Sequence, residues 1–208
     1  METDVLAEVR RLIAPEEGAL ADARERVPAA LAPPDPEIGA LLAWAATTCR
    51  ARTAVEIGAA GGISGLWLLP HMSERGVLTS IEPDPHAHGL AAEAFAAADV
   101  ATRVRAIQSD PLDVLPRLSD AGYDLVLLQG SPDGYAQVLP DVRRVLRPGG
   151  MLLARGVLRP GPHADALARF LDDLANDEVL TVTVLPLDGG LVLATRGPDP
   201  DDGEHGPG

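Results

Sequence analysis

Residues 53–65 read Thr-Ala-Val-Glu-Ile-Gly-Ala-Ala-Gly-Gly-Ile-Ser-Gly: a short apolar run, a turn of small residues, then the start of a helical pattern. Such a strand–turn–helix unit confines a chain to the α/β class if the alternation continues, and here it does. Strand-type runs at Thr53–Ile57, Val77–Ile81, Val104–Ile107, 125–128 and 151–154 alternate with helical stretches at 63–72, 85–98, 112–118 and 135–146. Runs apolar on both faces and separated by helices predict a parallel sheet covered on two sides. A further helix follows Pro162 through Leu167, Phe170, Leu171 and Leu174. Two last runs, 179–185 and 190–195, flank Asp188-Gly189, a hairpin signal that makes them antiparallel neighbours. The expected architecture is Rossmann-like α/β: a seven-stranded, mostly parallel sheet with a C-terminal antiparallel hairpin and helices on both faces.

The first fifty residues read as helices: Thr3 caps a stretch carrying Val5, Leu6, Val9, Leu12 and Ile13, a second helix covers 16–26, and a third, over 37–49, presents Ile38, Leu41, Leu42 and Ala45 on one face. A proline-rich connector, 29–36, lies between the last two. Residues 1–50 are thus a helical layer or lid on a domain spanning 51–196, and the acidic Gly/Pro tail, 197–208, is expected to be disordered.

With 208 residues, 46% of them apolar, the chain has material for one sizeable core. Its single cysteine excludes an intrachain disulfide and a cysteine metal cluster; Cys49 ends an apolar helix pattern and reads as a buried small hydrophobe. All 17 basic residues are arginine, which excludes a P-loop lysine, a Schiff-base lysine and a lysine general base. The net charge of −14 makes nucleic acid a poor partner. The acidic start, Met1-Glu2-Thr3-Asp4, and the lack of a membrane-length apolar run predict a cytoplasmic protein with no membrane partner.

Small residues after Ile57 let the backbone approach a ligand closely, and the amides of the helix that follows suit an anion. A dinucleotide fingerprint needs glycines where this chain has Ala60 and Ile63. Glu82 closes the next strand at the distance where either cofactor class wants a carboxylate on ribose hydroxyls. Asp110, after the third strand, either meets an adenine amino group or caps the next helix. His86 and His88 begin the helix after Glu82 and read as surface groups, His71 as a helix end, and His205 as part of the exposed tail.

The entry helix Glu37-Ile38-Gly39-Ala40-Leu41-Leu42, the Glu56-Ile57-Gly58 loop, Ser64-Gly65-Leu66-Trp67-Leu68, Ile81-Glu82-Pro83-Asp84-Pro85, Tyr123-Asp124-Leu125-Val126 and Leu146-Arg147-Pro148-Gly149-Gly150 resemble the cation-dependent O-methyltransferases of the catechol and caffeoyl-CoA type, closest to an actinobacterial subgroup. The resemblance runs from about Pro33 to Gly190. It implies S-adenosylmethionine (SAM) as cofactor, with Glu56, Gly58, Ala60 and Ser64 at its methionine half, Glu82 on the ribose, Asp110 at the adenine, and Gly62 and Gln129 also among the cofactor-binding residues. It also implies a small-molecule acceptor and a homodimer.

Its chemical half does not carry over. Gln129 stands where the family has a metal-binding aspartate, Pro132 where it has a lysine, and Arg155-Gly156 where it has an Asp-Asn pair. One amide oxygen is a poor site for a hard divalent cation, so no divalent metal is expected. Arg155 would instead stabilise an oxyanion, with Asp133, Tyr135 and His163 as candidate bases. The expected function is O-methyl transfer to a small hydroxylated acceptor without metal. The alternatives are a SAM-binding paralogue that has lost catalysis and, further off, an NAD-binding oxidoreductase. Acceptor contacts are expected from the N-terminal helices and the loop 157–163, with Trp44 as a pocket wall or dimer contact.

Overall fold

Neighbouring residues in the central strands belong to different cores. Leu125 and Leu127 sit in one cluster of fully buried side chains, and Val126 and Leu128 in the other. A strand apolar on both faces must be covered on both, and period-two alternation then sorts its residues between two helical layers. The structure, a computed structural model, describes residues 10–159 and 163–198. Its strands are β1 Thr53–Ile57, β2 Val77–Ile81, β3 Val104–Ile107, β4 Tyr123–Leu128, β5 Leu146–Arg155, β6 Leu180–Leu185 and β7 Leu191–Arg196. Its helices are α1 Ala19–Arg26, α2 Pro36–Thr48, α3 Ile63–Leu68, α4 Pro85–Ala97, α5 Pro111–Val114, α6 Tyr135–Val145 and α7 Ala164–Ala175.

The seven strands form one sheet in the order β3-β2-β1-β4-β5-β7-β6. The first five are parallel, while β7 runs antiparallel to both β5 and β6. This is the expected Rossmann-like architecture with its C-terminal hairpin. Helices α1 to α4 cover one face, contributing Ala23, Leu42, Trp67 and Phe95. Helices α5 to α7 cover the other, with Val114, Val138, Leu139 and Phe170. Helix α2 lies close on α3 because Gly39 has no side chain: a Cβ there would sit 2.3 Å from the Trp67 indole.

Several boundaries differ from expectation, each for a local reason. The helix expected over 63–72 ends at Leu68 and continues as a 3₁₀ turn, Leu69–His71, because Pro70 breaks the ladder. Pro116 does the same to the stretch expected over 112–118, which is α5 followed by the 3₁₀ turn Leu115–Arg117. Helix α1 begins at Ala19, after Gly18 at φ 54°, and not at residue 16. Strand β5 begins at Leu146 and takes in Pro148-Gly149-Gly150 through a register shift against Tyr123 and Leu125. Most of the expected first helix and residues 199–208 of the expected tail lie outside the described residues, while Gly197 N donates to Val179 O (2.7 Å).

The amino edge of the sheet is fastened by Asp124. Its carboxylate accepts from Arg52 N (2.7 Å), Thr53 N (2.9 Å), Thr53 Oγ1 (3.1 Å) and Arg147 Nε (2.5 Å). Burial works to raise its pKa, but Arg147 and these donors prevail and hold it below the usual carboxylate range. The resembling motifs around Asp124 and Arg147 therefore meet far from the loop after β1. Among the described residues no helix is long and apolar enough to cross a membrane.

Candidate active site

Strand order reverses between β1 and β4, and in such sheets the crevice outside the carboxyl ends at that point receives ligands. The backbone there is tightly stitched. Gly58 N donates to Ile81 O (2.9 Å), and Gln129 N and Gly130 N both reach Ile57 O at 3.0 Å. Gly58 is required twice over: its φ is 87°, and a Cβ would lie 2.6 Å from Gly130 N. Two adjoining cavities share Gly58, Glu82, Gly130 and Ser131. The first, about 370 Å³, is further lined by Ala60, Gln129, Arg155, Arg159 and His163, with Leu31 and Ala32 of the N-terminal connector. The second, about 460 Å³, is further lined by Pro83, Asp110, Leu112, Asp133 and Tyr135.

The residues expected at a cofactor fall into two groups. Gly58, Ala60, Glu82, Asp110 and Gln129 line the cavities. Glu82 is nearly buried, and accepts from Ala59 N (2.9 Å) and Asp84 N (3.0 Å), which ties the loops after β1 and β2 together. Asp110 caps α5 through Leu112 N (2.9 Å) while facing the second cavity. Glu56, Ser64 and Gly62 line neither cavity. Ser64 Oγ donates to Glu56 (2.6 Å), as does Ser80 Oγ (2.7 Å), all three beneath the loop. Burial pushes the Glu56 carboxyl up to about 7 despite these two donors, and the Glu82 charge adds to the rise. Gly62, at φ 90°, lets α3 lie against α4, where a Cβ would meet that of Ala94 at 3.0 Å.

Gln129 ties this buried group to Arg155. Its Nε2 donates to Gly58 O (2.6 Å) and Ser64 Oγ (2.5 Å), and its Oε1 accepts from Arg155 Nη1 (3.0 Å). Those partners fix the amide's orientation. Arg155 is buried and pairs through Nε with Asp188 in the turn before β7. Arg159 Nη2 takes the other oxygen of Asp188 at 3.0 Å. The antiparallel register that sets Arg155 opposite Leu191 brings Asp188 within reach.

Sequence reasoning used Asp188 as turn chemistry alone and did not single out Arg159. The missed signal was a demand: a buried guanidinium at a strand end requires a carboxylate, and the hairpin register names the segment that supplies it.

Asp133 and His163, considered separately as bases, stand together. His163 Nδ1 lies 2.5 Å from Asp133 Oδ1, with His163 on the first cavity and Asp133 on the second. Tyr135, expected as a third candidate, is 2% exposed; its hydroxyl donates to Arg155 O (3.1 Å), its ring packs edge-on against Phe170, and burial raises its pKa far above the usual phenol range. That geometry makes it a support for Arg155 and not a proton acceptor. Trp44 is 54% exposed on α2 and lines neither cavity, so it is no wall of this site. Burial raises the Cys49 thiol to about 11, consistent with an inert core residue. His71 and His86 are exposed. Among the described residues no three or more His, Cys, Asp or Glu side chains gather as metal ligands.

Residues 55–154 match the family model described as a methyltransferase domain. A Mycobacterium sp. (strain JLS) protein described as "Putative O-methyltransferase" is 38% identical over 192 residues, covering 87% of each chain. A crystal structure of a Corynebacterium glutamicum protein superimposes with a TM-score of 0.84 at 28% identity, over 96% of this chain and 99% of that one. The O-methyltransferase TomG of Streptomyces achromogenes, involved in tomaymycin synthesis and solved with SAM, gives 0.83 at 26% identity, over 94% and 96%. The β1 loop, the reversal at β4 and the C-terminal hairpin are thus held in common with relatives over nearly the whole chain, and the protein belongs to this O-methyltransferase family.

Proposed function

We propose that the chain transfers a methyl group from SAM to the hydroxyl of a small acceptor, that it does so without a divalent metal, and that His163 backed by Asp133 is the base. The observation that carries this reading is the His163–Asp133 pair at the junction of two cavities meeting on the Gly58–Gly130 lip. SAM, when bound, supplies a methyl group on a positively charged sulfur that leaves as a neutral thioether. The SAM in the Streptomyces achromogenes relative supports that choice of cofactor.

The residues present suit it. Glu82 offers a carboxylate to ribose hydroxyls, Asp110 faces the second cavity where an adenine amino group would lie, and Gly58 and Ala60 leave room for close backbone approach. Glu56, Ser64 and Gln129 hold the loop from below. In the first cavity His163 takes the acceptor's proton as its oxygen attacks, and Asp133 orients the imidazole and balances its new charge. Arg155 fixes Gln129 and reinforces the positive potential where the oxyanion develops.

A divalent cation does not fit the position that the resemblance implies for it. The Gln129 oxygen already accepts from Arg155, whose guanidinium would repel a cation there. The reading carries with it a cytoplasmic homodimer, for which the family resemblance is the support.

Calorimetric titration with SAM tests the first step: SAM should bind, and NAD should not. His163→Ala should lower kcat/KM for a responsive phenol by about 10²–10⁴-fold while leaving SAM affinity unchanged. Binding of SAM with no transfer to any of a broad phenol panel would favour a SAM-binding relative without catalysis. Binding of NAD and not SAM would sink the proposal.

A further inference from the structure

The charge in the first cavity is unevenly placed. Arg155 and Arg159 both line it, whereas the carboxylate they share, Asp188, lines a neighbouring groove instead. Each guanidinium takes one oxygen of Asp188, so two positive groups on the cavity wall share a single carboxylate that lies outside it. The pair differs in access: Arg155 is 4% exposed and also holds Gln129 and Ala32 O, while Arg159 is 46% exposed.

Arg159 is also seated by its surroundings. Its side chain lies over Gly156 and Gly189, both at positive φ, where added Cβ atoms would stand 3.2 Å and 2.5 Å from it. The backbone beneath is zipped to the hairpin turn by Val157 N to Gly190 O (3.0 Å) and Leu158 N to Gly189 O (2.7 Å). A surface arginine in a chain of net charge −14 needs no glycine cradle to stay solvated; this one is held over a cavity. Of the remaining walls, Ala30, Leu31 and Pro132 are small and apolar, and the one carboxylate, Glu82, lies on the lip shared with the second cavity and accepts from Ala59 N and Asp84 N.

We propose that the acceptor is a small hydroxylated carboxylic acid, and that Arg159 binds its carboxylate and so determines specificity. A planar guanidinium presents paired donors that match a carboxylate, and such charge-assisted bonds are the strong ones. Arg155 lies too deep and too fully engaged to share that task, and its partner Asp188 keeps Arg159 from turning away. The proposal rests on reading the first cavity as the acceptor side of the methyltransferase site.

Protocatechuate and its carboxamide have nearly the same shape and the same two hydroxyls, and differ in charge. Calorimetry on the full chain, with and without saturating S-adenosylhomocysteine, should show the acid binding about tenfold to a hundredfold more tightly than the amide. Arg159→Gln should bring the acid down to the amide's level without moving the amide or S-adenosylhomocysteine, and Arg159→Lys should recover part of the difference. In the unmodified chain, added salt should weaken the acid and leave the amide alone, a readout that needs no variant.

Equal binding of acid and amide, binding of neither, or an Arg159→Gln variant that keeps the preference would overturn the proposal. A chain that prefers the acid yet binds no S-adenosylhomocysteine would overturn the methyltransferase reading and leave the carboxylate site standing. Normal S-adenosylhomocysteine binding with no acid preference would do the reverse.

Discussion

Glu56 is a buried carboxyl whose contribution to stability changes with pH. Its carboxyl is fully buried and raised to about 7 by that burial, against the Ser64 and Ser80 hydroxyls. A carboxyl whose folded value lies above its unfolded one binds its proton more tightly in the native state. Its contribution is therefore fully favourable below the ordinary glutamate range and is lost as pH rises toward and through about 7. Urea unfolding at pH 5 and pH 8 should show Glu56→Gln relieving the chain more at the higher pH, by a difference of about 2–4 kcal/mol. An equal effect at both would mean that Glu56 is not titrating in this range. The glutamate itself was legible as a strand-end acid. Its burial was not, because Ser80 belongs to a different strand and Ser64 to the following helix.

At the scale of elements, period-two apolarity and Gly/Pro punctuation located most strands and helices. They erred where proline acted inside an apolar pattern, at Pro70 and Pro116, since hydrophobic spacing carries no record of a missing amide. The contact of α2 with α3 depends on a single absent side chain. Gly39→Ala would drive a methyl into the Trp67 indole, so it should destabilise the fold by about 1–3 kcal/mol in chemical denaturation. The hairpin turn before β7 makes a second such case. Asp188→Ala leaves two guanidiniums, one buried, without their carboxylate, and should lower stability by about 3–5 kcal/mol. A neutral outcome would show that solvent replaces Asp188 at little cost.

Across the whole molecule, the two edges of the sheet divide the work. The amino edge is fastened by Asp124 and Arg147, while both cavities open at the carboxyl edge. Asp124 is held below the usual carboxylate range, so its contribution is present above that range and lost as pH falls through the lowered value. Asp124→Asn should therefore cost about 2–3 kcal/mol at neutral pH and less in acid, with SAM affinity unchanged in calorimetry. The loops that line the cavities after β1, β2 and β3 could be read from sequence because each is local to its own strand. The pairs Asp133 with His163 and Arg155 with Asp188 join residues 30 and 33 apart, and tertiary register alone brings them together.

The proposed transfer uses His163 backed by Asp133 as base and Arg155 as the positive group, with no divalent metal. The most direct measurement is the initial rate of methyl transfer from labelled SAM to a hydroxylated acid, in excess EDTA and in added Mg²⁺, for the unmodified chain and for His163→Ala. The unmodified chain should show the same rate under both conditions, and the variant should lose it. Turnover abolished by EDTA and restored by Mg²⁺, with His163→Ala still active, would contradict metal-free transfer with His163 as base.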